Sequence, residues 1–408
     1  MNTKKIIPEV LSPAGDTERL EAALRFGADA VYVSGQAYGM RAACANFDRD
    51  ALRSAVALTH SLGKKIYVTC NILPRNRDIE QLPEYFQYLN EIGVDALIIS
   101  DIGTMELAKK YAHDCDLHVS TQFGVVNYAT ATALYHMGAK RVVLARELSL
   151  EEIREIRANT PDELELEAFV HGAICMSFSG RCVISNYLTD RDANHGECSQ
   201  PCRWKYSVVE ETRPDLPMSI EQDESGTYLF NANDMNMIAH IADLAEAGIS
   251  SLKIEGRAKS FYYTAVTANA YRMAVDGYVE SGFASDYVPK EWIMDEMNKI
   301  SHRPYGTGFY YGMPSQHLKQ GGYIRAYEVA AVVDDWENGY LVTTQRNRFF
   351  AGNALEVLEP GKEPFAFTPS VLLGADREVL ESANHPMMRV YVPFDRPLPP
   401  GTLLRYRK

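Results

Sequence analysis

The chain lacks any apolar run near the roughly 18 residues that a membrane-spanning helix needs, which excludes a helical membrane protein. Positive charge is also in deficit. There are 41 Lys/Arg against 54 Asp/Glu, a net charge of −13. That balance excludes a protein that coats nucleic acid through bulk charge, while leaving room for a local basic patch. Several catalytic signatures are missing. No Gly-x-Gly-x-x-Gly follows the first strand, and neither His-Glu-x-x-His nor Gly-x-Ser-x-Gly occurs. The opening MNTKKIIPEVLSPAGD has two lysines but no apolar core, which predicts no secretory leader and a cytoplasmic protein. What is present is ordinary globular composition, 46% hydrophobic and 23% charged, in 408 residues. That excludes disorder for most of the chain and suggests two to three domains.

Charge and cysteine are unevenly spread. From Ser301 to Lys408 there are 12 bases and 11 acids; before it there are 29 and 43, so the acidity belongs to the larger part. Of seven cysteines, Cys44, Cys70 and Cys115 are scattered, whereas Cys175, Cys182, Cys198 and Cys202 lie within 28 positions. In a reducing compartment such a cluster points to metal binding or catalysis before disulfides.

The first 170 residues alternate short apolar strands with amphipathic helices. A motif recurs four times, at Gly27, Gly93, Gly138 and Gly248: apolar-Gly-x-x-x-apolar. Glycine there supplies a left-handed helix cap, and the next strand begins three residues later. Ser149-Leu150-Glu151-Glu152 has the capping-box pattern. The strands are apolar throughout, as expected for parallel strands covered by helices. Strands near Val10, Val31, Ile66, Leu97, Val119, Val142, Ala168 and Leu252 make eight β/α units in about 280 residues, which predicts a TIM-like (β/α)8 barrel over 1–285. A doubly wound sheet is the alternative, weakened by the missing glycine fingerprint. The stretch 172–229 breaks the rhythm and reads as an insertion after strand seven, at the catalytic mouth. A linker over 286–320 and a small antiparallel β-barrel over 321–408 complete the organisation.

The strongest chemical signal is Cys-x6-Cys-x15-Cys-x3-Cys, from Cys175 to Cys202. Thiolates at mixed spacing on an irregular loop suit an iron–sulfur cluster. Zinc is the rival, although zinc sites usually come as Cys-x2–4-Cys pairs and only the last pair qualifies. Strand ends bring Asn71, Gln122, Arg146, Glu147, His171, Glu255 and Arg257 to the expected mouth, where barrel enzymes place catalytic groups. His171 reads equally as a core histidine. Burial of Glu255 in an apolar strand end would suit proton transfer. Arg203-Trp204-Lys205 and, on an expected hairpin, Arg346 and Arg348 interleave cations with aromatics, a pattern that pairs phosphates and stacks on unpaired bases. The alternative for each is a salt bridge or a solvated face.

Leu11-Ser12-Pro13-Ala14-Gly15-Asp16, Tyr38-Gly39-Met40-Arg41, His171-Gly172-Ala173-Ile174-Cys175, Ser179-Gly180-Arg181-Cys182 and Lys253-Ile254-Glu255-Gly256-Arg257 resemble the collagenase-like peptidase U32 family over nearly the whole chain. The segment Asn186 to Tyr206 is most similar to its tRNA-hydroxylating branch. The resemblance implies a TIM-like barrel, a [4Fe–4S] cluster on the four clustered cysteines, and prephenate-dependent hydroxylation of the wobble uridine in a tRNA anticodon loop to 5-hydroxyuridine. A dicarboxylate such as prephenate would want arginines, for which Arg41, Arg146 and Arg257 are candidates. Sister branches hydroxylate ribosomal RNA. Some relatives carry a ligand cysteine where this chain has Asn236, leaving Cys202 as the fourth ligand or one position open. The remaining readings are a collagenase-like peptidase and a non-catalytic iron–sulfur partner in a biosynthetic complex.

Overall fold

The computed structural model describes residues 5–40, 46–175, 178–180, 182–204, 222–223, 226–227, 233–314 and 323–408. Arg41, Cys44 and Lys205 lie outside the described residues, as does the side chain of Arg203.

Eight parallel strands close into a barrel. They are β1 (Glu9–Pro13), β2 (Ala30–Val33), β3 (Lys65–Cys70), β4 (Ala96–Ile99), β5 (Asp116–Val119), β6 (Arg141–Val143), β7 (Glu165–Ala173) and β8 (Ser251–Ile254). Each pairs with the next, and β8 pairs with both β7 and β1, which completes the ring. These are the eight strands expected from the apolar runs. β2, β4, β6 and β8 are buried at every position, because helices cover one face and the barrel interior the other. The four repeated glycines all adopt φ between +79° and +103°, as a left-handed cap requires. The capping box forms: Ser149 Oγ accepts from the Glu152 amide and the Glu152 carboxylate accepts from the Ser149 amide.

Most of the apolar core lies between the barrel and its helices, with the 20-residue helix Phe261–Glu280 largely buried against β1 and the helix Thr17–Arg25. The barrel interior holds a small apolar set, including Leu11, Tyr32, Tyr67 and Ile98. Its centre is charged. Arg141 Nη1 donates to Glu9 Oε1 at 2.7 Å and to Glu167 Oε2 at 3.0 Å, Arg141 Nη2 lies 2.6 Å from Glu165 Oε2, and Lys253 Nζ donates to Glu167 Oε1 at 2.5 Å. Tyr67 and Ser251 donate to the two oxygens of Glu9.

After β7 the chain leaves the barrel. It forms a short helix, Ile184–Thr189, and two 3-10 turns, Ala193–His195 and Pro201–Arg203. It returns as a strand, Asp234–Asn236, antiparallel to the last three residues of β7. Tyr305–Gly306 adds to that strand's other edge.

The C-terminal part is an antiparallel sheet of eight strands around its own core, which includes Val333, Leu341, Phe349, Val390 and Leu404. Its last strand, Leu403–Arg407, runs between Tyr327–Glu337 and Leu355–Leu358. Its Arg405 is wholly buried and fixes the module to the barrel side. Two nitrogens donate to the two oxygens of Glu296 at 2.6 Å, and a further bond of 2.8 Å reaches Glu356. Among the described residues, no helix is long and apolar enough to cross a membrane.

Candidate active site

Strand ends at the C-terminal mouth carry the side chains of one cavity of about 140 Å³. Asn71 follows β3, Gln122 follows β5, Arg146 and Glu147 follow β6, and Glu255 and Arg257 follow β8; all six line it. So do Cys175, Cys182, Cys198 and Cys202, which the insertion folds over the mouth. The topology therefore brings together residues that are up to 186 positions apart in the sequence.

Close backbone approaches make that covering possible. Gly180 has φ +74°, and a Cβ there would lie 2.0 Å from the Gln122 carbonyl oxygen. Glycine lets the segment between Cys175 and Cys182 press against the β5 loop. Gly15, in the first quoted motif, does the same at the β8 loop, where a Cβ would lie 2.3 Å from the Arg257 carbonyl oxygen. Hydrogen bonds tie the insertion down. The Ser179 amide donates to Glu147 at 2.9 Å, its hydroxyl donates to the same carboxylate at 3.1 Å, and Asn194 Nδ2 donates to the Cys182 carbonyl at 2.8 Å.

Arg146 sits over the Phe169 ring at 4.0 Å, with Nη1 donating to the Ala173 carbonyl at 3.3 Å and Nη2 3.6 Å from Glu255. This is the salt-bridge alternative in part, and it still leaves the arginine lining the cavity. Asn71 donates to Ser120 Oγ at 3.3 Å, so its amide is oriented.

His171 is placed differently. It is 1% exposed, it does not line the cavity, and it packs among the rings of Tyr263, Tyr271 and Tyr305. Burial holds its pKa down to about 3, with Lys259 and His302 adding to the effect, so it stays neutral at physiological pH. Asn236 lies beside it across the strand pair, accepts from the Ile238 amide at 3.2 Å, and is not part of the cavity wall.

Of the residues singled out for RNA, Arg346 pairs with Glu18 at 2.7 Å and sits over Phe261 at 4.9 Å, which anchors the C-terminal module to the barrel. Arg348 is exposed and stacks on Phe350 at 4.8 Å. Trp204 is exposed beside Cys202.

Several lining residues, Tyr32, Thr69, Ser120, Phe169, Asn194 and Lys253 among them, are not among the candidates the sequence suggests. Lys253, which enters the sequence analysis only within the Lys253–Arg257 motif, lines the cavity from inside the barrel. The period-two alternation of a strand places Lys253 and Glu255 on one face, and that signal could have found it.

The four cavity cysteines are not disulfide-bonded. They surround a common space without forming a closed ligand set. Among the described residues no three His, Cys, Asp or Glu side chains group closely enough to hold a metal ion as they stand. The donor chemistry, four thiols opening on one cavity, fits a thiolate-ligated cluster.

Comparison with known proteins agrees with this architecture. Residues 15–320 match the peptidase family U32 model, and residues 325–405 match the peptidase family U32 C-terminal domain. The tRNA hydroxylation protein P1 of Bacillus subtilis is 34% identical, covering 100% of this chain and 97% of its own. The tRNA hydroxylation protein P of Escherichia coli is 34% identical, covering 96% and 94%. The 23S rRNA 5-hydroxycytidine C2501 synthase of Escherichia coli is 36% identical over 67% of this chain and 40% of that one. Matched by the family model over most of its length and by full-length relatives at this identity, the chain belongs to peptidase family U32.

Proposed function

We propose that this protein is an RNA hydroxylase acting on tRNA, converting the wobble uridine to 5-hydroxyuridine with prephenate as co-substrate and a [4Fe–4S] cluster at the barrel mouth. The observation that carries the reading is the single cavity that gathers four cysteines with Asn71, Gln122, Arg146, Glu147, Glu255 and Arg257. The full-length likeness to two tRNA hydroxylation proteins supports tRNA as the substrate. A base in a single-stranded anticodon loop can be splayed into such a mouth, where a paired base could not.

In this reading each group has a task. Arg146 and Arg257, both on the cavity wall, bind carboxylate, because a guanidinium offers paired donors in a plane. Asn71 and Gln122 carry both amide donors and acceptors, the complement of a uracil edge. Glu255, 3.6 Å from Arg146, is the carboxylate placed to take a proton. Cys175, Cys182, Cys198 and Cys202 would hold the cluster, which when bound supplies one-electron chemistry or a structural anchor for the loop. The site of action is cytoplasmic, with tRNA. On the cavity itself the described residues offer no Ser–His pair: Ser179 is held by Glu147, and His171 lies behind the wall.

The test is deletion of the gene followed by mass spectrometry of bulk tRNA. The expected result is loss of 5-hydroxyuridine and its derivatives, restored by the wild-type gene. Unchanged levels in a strain without a paralogue overturn the reading. For the cofactor, Cys182→Ala should lower iron content and the visible charge-transfer absorbance of protein purified anaerobically; unchanged iron removes Cys182 from the ligand set.

A further inference from the structure

The floor of the cavity carries a buried cation that the mechanism above does not use. Lys253 is 5% exposed, and its Nζ lies 4.7 Å from the Tyr32 ring centre and 5.6 Å from that of Phe169. Behind it stands Glu167, fully buried, which shares its other oxygen with Arg141. Of these three enclosed charges two are positive and one is negative. The carboxylates that balance the set, Glu9 and Glu165, are at the opposite end of the network and partly exposed. The network therefore turns a positive end toward the cavity.

Stability alone does not account for this arrangement. Burying an ion pair costs desolvation on both partners, and a well-packed apolar pair of the same volume is often as stable or more so. An ammonium also has three donors, of which the Glu167 bond occupies one. In an enclosed site of low effective dielectric, such a donor attracts an anion far more strongly than a surface lysine does.

We propose that Lys253 is the floor of a carboxylate-binding site, its ammonium taking one carboxylate of a small organic acid directly. The acid's hydrocarbon part lies against Phe169 and Tyr32, and its outer end meets Arg146, which stacks on the same Phe169 ring. Glu167 and Arg141 act as positioning residues: they hold the amine in place from behind. The proposal deepens the functional reading and rests on it only in taking this cavity as the reaction site.

The test measures binding by calorimetry, with the full chain purified anaerobically and prephenate, phenylpyruvate and malonate as probes. The variants are Lys253→Met, Lys253→Arg and the charge-balanced double Lys253→Met/Glu167→Gln. Loss of one buried charge-assisted bond predicts affinity about 10- to 100-fold weaker in both methionine variants, and a partial return in the arginine variant. A double variant that melts like wild type and binds the probes within about twofold of wild type overturns the proposal, because a purely structural pair predicts that outcome. Wild-type protein that binds none of the three probes also overturns it. Lys253-dependent binding of malonate or phenylpyruvate, without prephenate, upholds the carboxylate site and removes prephenate from the functional reading. Should neither methionine variant fold, wild type decides: malonamide must bind at least about tenfold more weakly than malonate, and equal affinity overturns the site.

Discussion

Arg405→Met should loosen the C-terminal module from the barrel. The guanidinium is wholly buried and makes a bidentate pair with Glu296 at 2.6 Å, bonds to Glu356 at 2.8 and 3.1 Å, and a bond to Tyr262 at 3.3 Å. Methionine fills comparable volume, so the loss is electrostatic rather than a cavity. It strands Glu296, itself 1% exposed, with Lys299 at 3.0 Å as its remaining cation. Breaking a buried pair by removing one partner typically costs about 3–5 kcal/mol, and the surviving Lys299 contact argues for the lower end, about 3 kcal/mol. For a chain of 408 residues unfolding as one unit that corresponds to a fall of about 3–4 °C in midpoint. The assay is thermal unfolding of the full chain followed by circular dichroism, with Arg405→Met/Glu296→Gln beside it. The double variant no longer strands a carboxylate and should recover part of the loss. A single variant that loses under about 1 kcal/mol would show that water reaches the pair and that the interface is not dry.

Three further outcomes follow from the site. Gly180→Ala forces a left-handed backbone on alanine and a Cβ into the Gln122 carbonyl; the backbone term alone is about 1–2 kcal/mol. It should depress 5-hydroxyuridine formation while leaving the global melting midpoint within a few degrees. Arg146→Met should leave the fold intact and reduce tRNA hydroxylation about 10-fold or more, measured by mass spectrometry of tRNA from the complemented deletion strain. His171 is held neutral in the folded chain down to about pH 3, whereas the unfolded chain binds its proton near pH 6.5. The unfolded state therefore takes up more protons as pH falls through that window, and stability drops. His171→Phe should flatten the loss between pH 7 and pH 5, a difference of up to about 2 kcal/mol in urea unfolding; identical slopes would place His171 in contact with water.

Much of the barrel was legible because its signals are local. Strands covered on both faces are largely apolar, and a glycine in the left-handed region ends a helix and turns the chain into the next strand. Hence all eight strands and the four capping glycines could be read from short windows. The cysteine cluster was legible for the same reason, since its members lie on one loop. The burial of Arg405 was not legible, because the carboxylates that enclose it come from two other elements. Arg346 read as a cation for phosphate, yet Glu18, 328 positions away, holds it. Lys253 carried no site signal in the sequence, because its partner Glu167 lies on a different strand.

By itself the sequence determined the repeating β/α units, the glycine caps of four helices, the loop that carries four thiols, and the acidic body joined to a near-neutral C-terminal part. These depend on residue type and spacing along the chain, which set backbone conformation and burial locally. Tertiary structure alone decided which strand-end residues share the cavity, that His171 stands behind its wall, and that Lys253 forms its floor. The physical reason is that charge and proton occupancy depend on partners and solvent within a few ångströms, and barrel closure supplies those partners from strands far apart in the chain.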